Sequence, residues 1–312
     1  MNIRRSRLWI GLTILIVSSS LCRVGAALIT AWQPPETAGD IVSEVRTTGD
    51  NPPTDYLSLV GPYGVTFSLL GAGDGYYYDS YQIFEVPQGA AIVQALVMTG
   101  AWIRPWESEH TIDFYFDGTP YGAIPAVTLD ENDTGNPGDS LSLGGFVIDV
   151  TKQVSGNGYY TPTFVRNQEG SGPFASLLWV VYQREDLPWK EIHLNFGGES
   201  LRFSSSTGIF SVLGSGSGTL HLFTQADQYV SSQGTESVEF NGQQIACCQI
   251  FAGEVDYGSY LQYAVTVHPG VNNVTITTGE DWFGWHVGAL VVPVAPVSVS
   301  ARSWSRIKAL YR

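Results

Sequence analysis

The chain has 312 residues, 44% of them hydrophobic and 12% aromatic, with 35 Gly, 16 Pro and only 14% charged residues. That length and apolar content sustain a large buried core and exclude a disordered chain, while the Gly, Pro and aromatic load excludes a coiled coil. With 29 acidic against 15 basic residues the net charge is −14, which excludes nucleic-acid partners held by phosphate neutralisation.

At the N-terminus Arg4, Arg5 and Arg7 precede an apolar run from Leu8 to Val17, and small residues lead to Val24-Gly25-Ala26. This order predicts a signal peptide over residues 1–26, cleaved after Ala26. The run is about ten residues, well short of the roughly 20 that a membrane-spanning helix needs. No later stretch is longer, so the expectation is an exported chain, secreted or held at the cell surface, with no transmembrane segment. The signal carries four arginines and no acid. The mature chain is therefore still more acidic, which repels anionic surfaces and leaves carboxylates available for calcium.

Residues 27–55, with Pro34-Pro35 and Pro52-Pro53, read as an extended lead-in. Beyond them β-branched and aromatic runs such as Ile92–Val97, Thr111–Phe116 and Leu177–Tyr182 are punctuated by Gly, Pro, Asn and Asp. Further strands are expected at Ser237–Phe240, Tyr260–Val267, Asn273–Thr277 and Val287–Val292, and no window shows sustained helical spacing. Phe116-Asp117-Gly118 is echoed by Phe240-Asn241-Gly242, and each is followed by a V-T strand, a Gly/Asn turn and a final apolar strand. The echo predicts an all-β fold of two jelly-roll-like sandwiches in tandem, the first over 56–186 and the second over 187–294. Leu187–Gly218, with its Gly and Ser clusters, joins them and holds strands at Glu199–Phe203 and Gly208–Leu213. Residues 295–312 form a tail with four basic residues and no acid. Pro293 and Pro296 set it apart from the sandwiches.

The succession YFDG, IDVTKQVSGNGYYTPTFV and ASLLWVVYQREDLPWKEIHLNFG resembles an uncharacterised family of exported, often repeated β-rich surface proteins of bacteria and archaea. The likeness spans roughly residues 60–294 and implies a surface location; no catalytic residues come with it. The ending Trp304–Arg312 resembles a short terminus of exported proteins in some Gram-negative lineages, implying contact with export or attachment machinery. The D-V-T strand and S-G-N turn are also similar to the paired jelly rolls of secreted peptide N-glycanases. The Cys-rich sequence around that family's catalytic aspartate is absent here, so only the architecture is implied.

Several residue groups are candidates for chemistry. Tyr76 and Tyr78 follow a Gly-rich turn, and Trp102 and Trp106 flank Arg104 beside Glu107 and Glu109. Aromatic faces stack on sugars and carboxylates accept hydroxyl hydrogens, so these six residues form a candidate glycan patch. Asp130, Asn132, Thr134 and Asp139 offer the oxygen set of a β-loop calcium site, but Leu141 stands where an EF-hand needs a bidentate Glu. The five histidines lack metal-ligand spacing, and His286 falls in an aromatic-rich turn. No G-x-S-x-G occurs. Cys247 and Cys248, as neighbours on a strand, face opposite sides; a vicinal disulfide, pairing between molecules or burial are the fates open to them. The sequence thus points to a non-enzymatic exported structural or adhesive protein, with glycan binding or cleavage between the two sandwiches as the alternative. No cofactor is expected beyond calcium.

Overall fold

Among the described residues every element is a strand and no helix is present. The computed structural model describes residues 46–47, 53–71, 80–103, 110–131, 142–166, 173, 175–201, 204–225, 236–248, 250, 258–279 and 283–295. All fall in the unit Val45–Arg312. The signal segment, nearly all of the lead-in, and the tail from residue 296 lie outside them. Accordingly no described helix is long and apolar enough to cross a membrane.

The apolar runs become the strands Ala91–Ile103, Thr111–Phe116, Ala175–Gln183, Ser237–Phe240, Gly258–Val267, Gly270–Thr277 and Phe283–Pro293. Their β-branched and aromatic side chains suit a pleated surface, and Gly and Asn between them turn the chain. Two large sheets result. A six-stranded sheet runs Arg46–Thr47, Thr128–Glu131, Ser142–Asp149, Ala91–Ile103, Ala175–Gln183, Tyr63–Gly71. A five-stranded sheet runs Gly258–Val267, Gly216–Gln225, Phe283–Pro293, Lys190–Leu201, Thr54–Gly61. The first is backed by a three-stranded sheet (Pro162–Arg166, Thr111–Phe116, Thr119–Pro125) and by the pair Gly158–Tyr160 and Tyr81–Ile83. The second is backed by Ser205–Val212, Gly270–Thr277, Ser237–Phe240 and Gln243–Cys247. The fold is all-β, with two jelly-roll-like sandwiches.

Alternation along the strands separates three apolar layers. Ala95, Val97, Leu178 and Val180 pack with Phe114, Phe116 and Phe164. Leu220, Leu222, Leu290 and Val292 pack with Phe210, Val212, Val274 and Ile276. The intervening residues Leu96, Met98, Leu177, Trp179 and Val181 meet Leu194, Phe196, Phe223, Val287, Ala289 and Val291. The two large sheets therefore lie face to face, each covered on both sides. This explains why Leu177-Leu178-Trp179-Val180-Val181 is apolar without a break, as in any strand buried on both faces.

The two sandwiches share one layout. Ser142–Asp149, Ala91–Ile103, Ala175–Gln183 and Tyr63–Gly71 follow one another across their sheet as Gly258–Val267, Gly216–Gln225, Phe283–Pro293 and Lys190–Leu201 do across theirs. The FDG and FNG echoes are the same device. Asp117 and Gly118 have φ of 48° and 73°, and Asn241 and Gly242 have 53° and 74°, the signs that a two-residue I′ hairpin requires. Asp117 N–H donates to Thr161 O while Oδ1 accepts from Thr161 N–H; Asn241 makes the same two bonds with Asn273. One strand departs from sequence order. Thr54–Gly61, at the junction of the lead-in and the first sandwich, pairs with Lys190–Leu201 at the far edge of the five-stranded sheet.

Two local expectations need correction. The strand anticipated at Glu199–Phe203 is the end of the longer Lys190–Leu201, whose alternating Ile192, Leu194 and Phe196 fill the layer between the large sheets. The two cysteines do not face opposite sides. Gln243–Cys247 ends at Cys247, and Cys248 turns to φ 67°, bringing the sulfurs within 2.7 Å. Both are free thiols and exposed, so neither is a core residue.

Candidate functional site

The strand ends on one side of the two large sheets converge. Gly71 pairs with Ala175, and Ile103 with Ser142, which also pairs with Glu131. In the facing sheet Gln225 pairs with Gly258 and Gly284, and Leu201 with Phe283. Glycines let the sheets approach here: an ideal Cβ on Gly258 would stand 2.3 Å from Ala175 Cβ, and one on Gly145 only 2.8 Å from Gly197 O. The connections 72–79, 104–109 and 132–141 leave from this end, as do 226–235, 251–257 and 280–282. Tyr76, Tyr78, Trp106, Glu107 and Glu109 fall in these connections, outside the described residues, as do Asn132, Thr134 and Asp139.

Two candidates can be placed. Trp102 lies one residue from the end of Ala91–Ile103 and is 6% exposed, so it packs at the base of this end and presents no open stacking face. Asp130 lies in Thr128–Glu131, opposite Leu143. Among the described residues no group of three or more His, Cys, Asp or Glu side chains could hold a metal ion.

At this end the two large sheets enclose a polar cluster. Gln225 Nε2 donates to Thr99 Oγ1 at 3.3 Å and to Ala175 O, and Thr99 Oγ1 donates to Ala175 O at 2.6 Å. His286 donates from Nδ1 to Gly197 O at 3.3 Å, its ring lying against Phe196 and Phe223. Burial pushes the His286 imidazole down to about 4, against a smaller upward pull from the Gly197 carbonyl. The ring is therefore neutral near pH 7, with its lone pair on Nε2. That atom and Gln225 Oε1 both border Gly100, at 2.3 and 2.5 Å from its ideal Cβ position, and neither has a protein hydrogen-bond partner among the described residues.

The buried carboxylates among the described residues are Glu191, Glu199 and Glu236. Glu191 and Glu199 are on one strand with eight steps between them, on the order of 25 Å at strand rise. Glu191 and Glu199 are therefore too far apart to be the facing carboxylate pair that glycoside cleavage uses. Glu236 accepts the Ile250 N–H outside the large sheets. Sequence reading placed His286 in a turn; it stands inside Phe283–Pro293 and is fully buried. Thr99 and Gln225 went unnoticed, though the polar Thr-Gln pair closing the apolar strand Gly216–Gln225 is a legible signal.

No family model matches the chain, and no curated protein matches it. Solved structures give distant all-β likenesses. A conserved protein of unknown function from Pseudomonas aeruginosa is 8% identical over 79% of this chain and 96% of that one, with a TM-score of 0.31. A beta-porphyranase of glycoside hydrolase family 86 from the human gut bacterium Bacteroides plebeius is 13% identical over 73% of this chain and 38% of that one, with a TM-score of 0.27. PNGF-II is 9% identical over 76% and 66%, with a TM-score of 0.29.

Proposed function

We propose that the protein is exported and acts at the cell surface or outside the cell as an adhesive β-sandwich, binding glycans at its loop-bearing end without chemistry there. The observation that carries this reading is the convergence of strand ends. Gly71, Ile103 and Glu131 meet at one end, and the connections that follow them hold five of the six glycan candidates. Binding residues concentrate on loops held by a rigid scaffold, and the packed sheets supply that scaffold. Asp130, Asn132, Thr134 and Asp139 would stiffen the same end by holding calcium. Residues 1–26 would direct export, and 295–312 would engage export or attachment machinery.

The test is a glycan array followed by calorimetry, with the protein from residue 27 onward. Trp106→Ala and Glu107→Gln are expected to weaken binding at least tenfold with an unchanged melting temperature. A folded protein that binds no glycan on the array sinks the reading. A melting temperature that does not rise in millimolar calcium removes the calcium part of it alone.

A further inference from the structure

A second polar cluster lies on the flank of the five-stranded sheet, away from the loop-bearing end. The edge strand Thr54–Gly61 pairs with Lys190–Leu201 in a register that sets Ser58 directly opposite His193. Ser58 Oγ is 2.9 Å from His193 Nδ1, and His193 Nε2 is 2.8 Å from Glu191 Oε1. Glu191 stands two residues from His193 on the same strand and therefore on the same face. Its carboxylate also accepts the backbone N–H groups of Leu213 at 2.8 Å and Gly214 at 2.9 Å, which fixes its position. His193 and Glu191 are buried, whereas Ser58 is exposed.

In the neutral ring the carboxylate sets the direction of the bonding, because it can only accept. With Nε2–H donated to Glu191, Nδ1 of a neutral His193 carries the lone pair that faces the Ser58 hydroxyl. The other acceptor near that hydroxyl, Asp55 Oδ1, is farther away at 3.2 Å. A buried, anchored carboxylate thus orients an imidazole, and the imidazole faces a hydroxyl that a reactant can reach. Activated serine nucleophiles have this order of groups. Among the described residues Thr54–Gly61 is an edge strand, so alternate N–H groups along it have no ladder partner there, and donors of this kind suit a developing oxyanion. Val60 and Leu213, both exposed, border the cluster with apolar surface.

We infer that Ser58, His193 and Glu191 form an acyl-transfer site that hydrolyses esters of small apolar acyl groups. Ser58 Oγ attacks the ester carbonyl carbon as its proton passes to His193 Nδ1. The tetrahedral adduct collapses, the carbon–oxygen bond to the alcohol breaks, and the alcohol leaves with that proton. Water then attacks the acyl carbon as one of its protons passes to His193 Nδ1, the bond from that carbon to Ser58 Oγ breaks, His193 returns the proton to Oγ, and the carboxylic acid departs. Glu191 holds the imidazole in one tautomer and orientation throughout. This inference extends beyond glycan binding and rests on other residues, so either can fail without the other.

The test uses a fluorophosphonate probe and p-nitrophenyl acetate on the protein from residue 27 onward, read by mass spectrometry of the modified peptide. Ser211 and Ser217 are exposed as well and serve as internal controls. The expected result is modification of Ser58 at least tenfold faster than of either control, and no such label in Ser58→Ala. His193→Gln, where it keeps the wild-type melting profile, is expected to slow labelling at least tenfold. Ser58 reacting no faster than Ser211 or Ser217 overturns the inference whatever the variants do. So does a folded His193→Gln protein that labels at the wild-type rate.

Discussion

The imidazole of His286 occupies the space that a side chain at Gly100 would fill: the ideal Cβ position of Gly100 lies 2.2 Å from His286 Cε1. The two residues belong to different large sheets, so their fit records how closely the sheets approach. Gly100→Ala must push the ring aside or part the sheets, and overpacking of this kind costs about 1–3 kcal/mol. A fall in melting temperature of roughly 2–4 °C per kcal/mol is expected by calorimetry. An unchanged melting temperature would show that the sheets do not meet at Gly100.

The buried histidines make stability depend on pH with a definite sign. Burial pushes both His286 and His221 down to about 4, the latter with a further push from Lys190. Unfolding returns each to about 6.5, so between those values the unfolded chain binds more protons than the folded one. Their contribution is complete above about pH 6.5 and is lost as pH falls towards 4, at roughly 3 kcal/mol for each histidine. Urea titrations at pH 7, 6, 5 and 4.5 should give steadily falling midpoints. The slope should lessen in His221→Gln.

The turn at Asn241 tests the paired hairpins. Asn241 combines a φ of 53° with a side chain that accepts from Asn273 N–H and donates to Asn272 Oδ1. Asn241→Val loses both bonds and places a β-branched residue in the left-handed region, an expected loss of about 2–3 kcal/mol. Asn241→Asp retains the acceptor, as Asp117 does in the first hairpin, and is expected to lose about 1 kcal/mol or less. Equal losses in chemical denaturation would contradict the assigned turn geometry.

The layer between the large sheets should dominate stability. Leu177 is fully buried there, whereas Val165 on an outer strand is 43% exposed. Leu177→Ala is expected to cost about 2–5 kcal/mol, and Val165→Ala to stay within about 0.5 kcal/mol. Comparable losses would place the main core elsewhere.

Local chemistry was legible in the sequence, and long-range pairing was not. Thr111–Phe116 alternates, Ala175–Gln183 is apolar on both faces, and Asp117-Gly118 and Asn241-Gly242 have the residues that I′ turns select. Each of these depends on neighbours within a few positions. Ser58 and His193, by contrast, meet across 135 positions through a register that only the assembled sheet fixes. Gln225 and His286 converge over Gly100 for the same reason. A partial clue existed in Lys190–Leu201: Glu191, His193 and Asn195 alternate with Ile192, Leu194 and Phe196, marking one polar face on a buried strand.

The placement of Thr54–Gly61 bears on assembly. This strand precedes most of the first sandwich in the chain but closes the sheet of the second, and among the described residues its only ladder partner is Lys190–Leu201. Once it peels away, Lys190–Leu201 becomes an open edge shaped to receive that same segment from a neighbouring copy. The exchange would restore every lost hydrogen bond and join the copies head to tail. Proteolysis ahead of Tyr63 would then leave acceptors without a donor strand, unable to exchange, and a labelled peptide spanning residues 53–62 should bind the cut protein and not the intact one, co-eluting with it on size-exclusion chromatography.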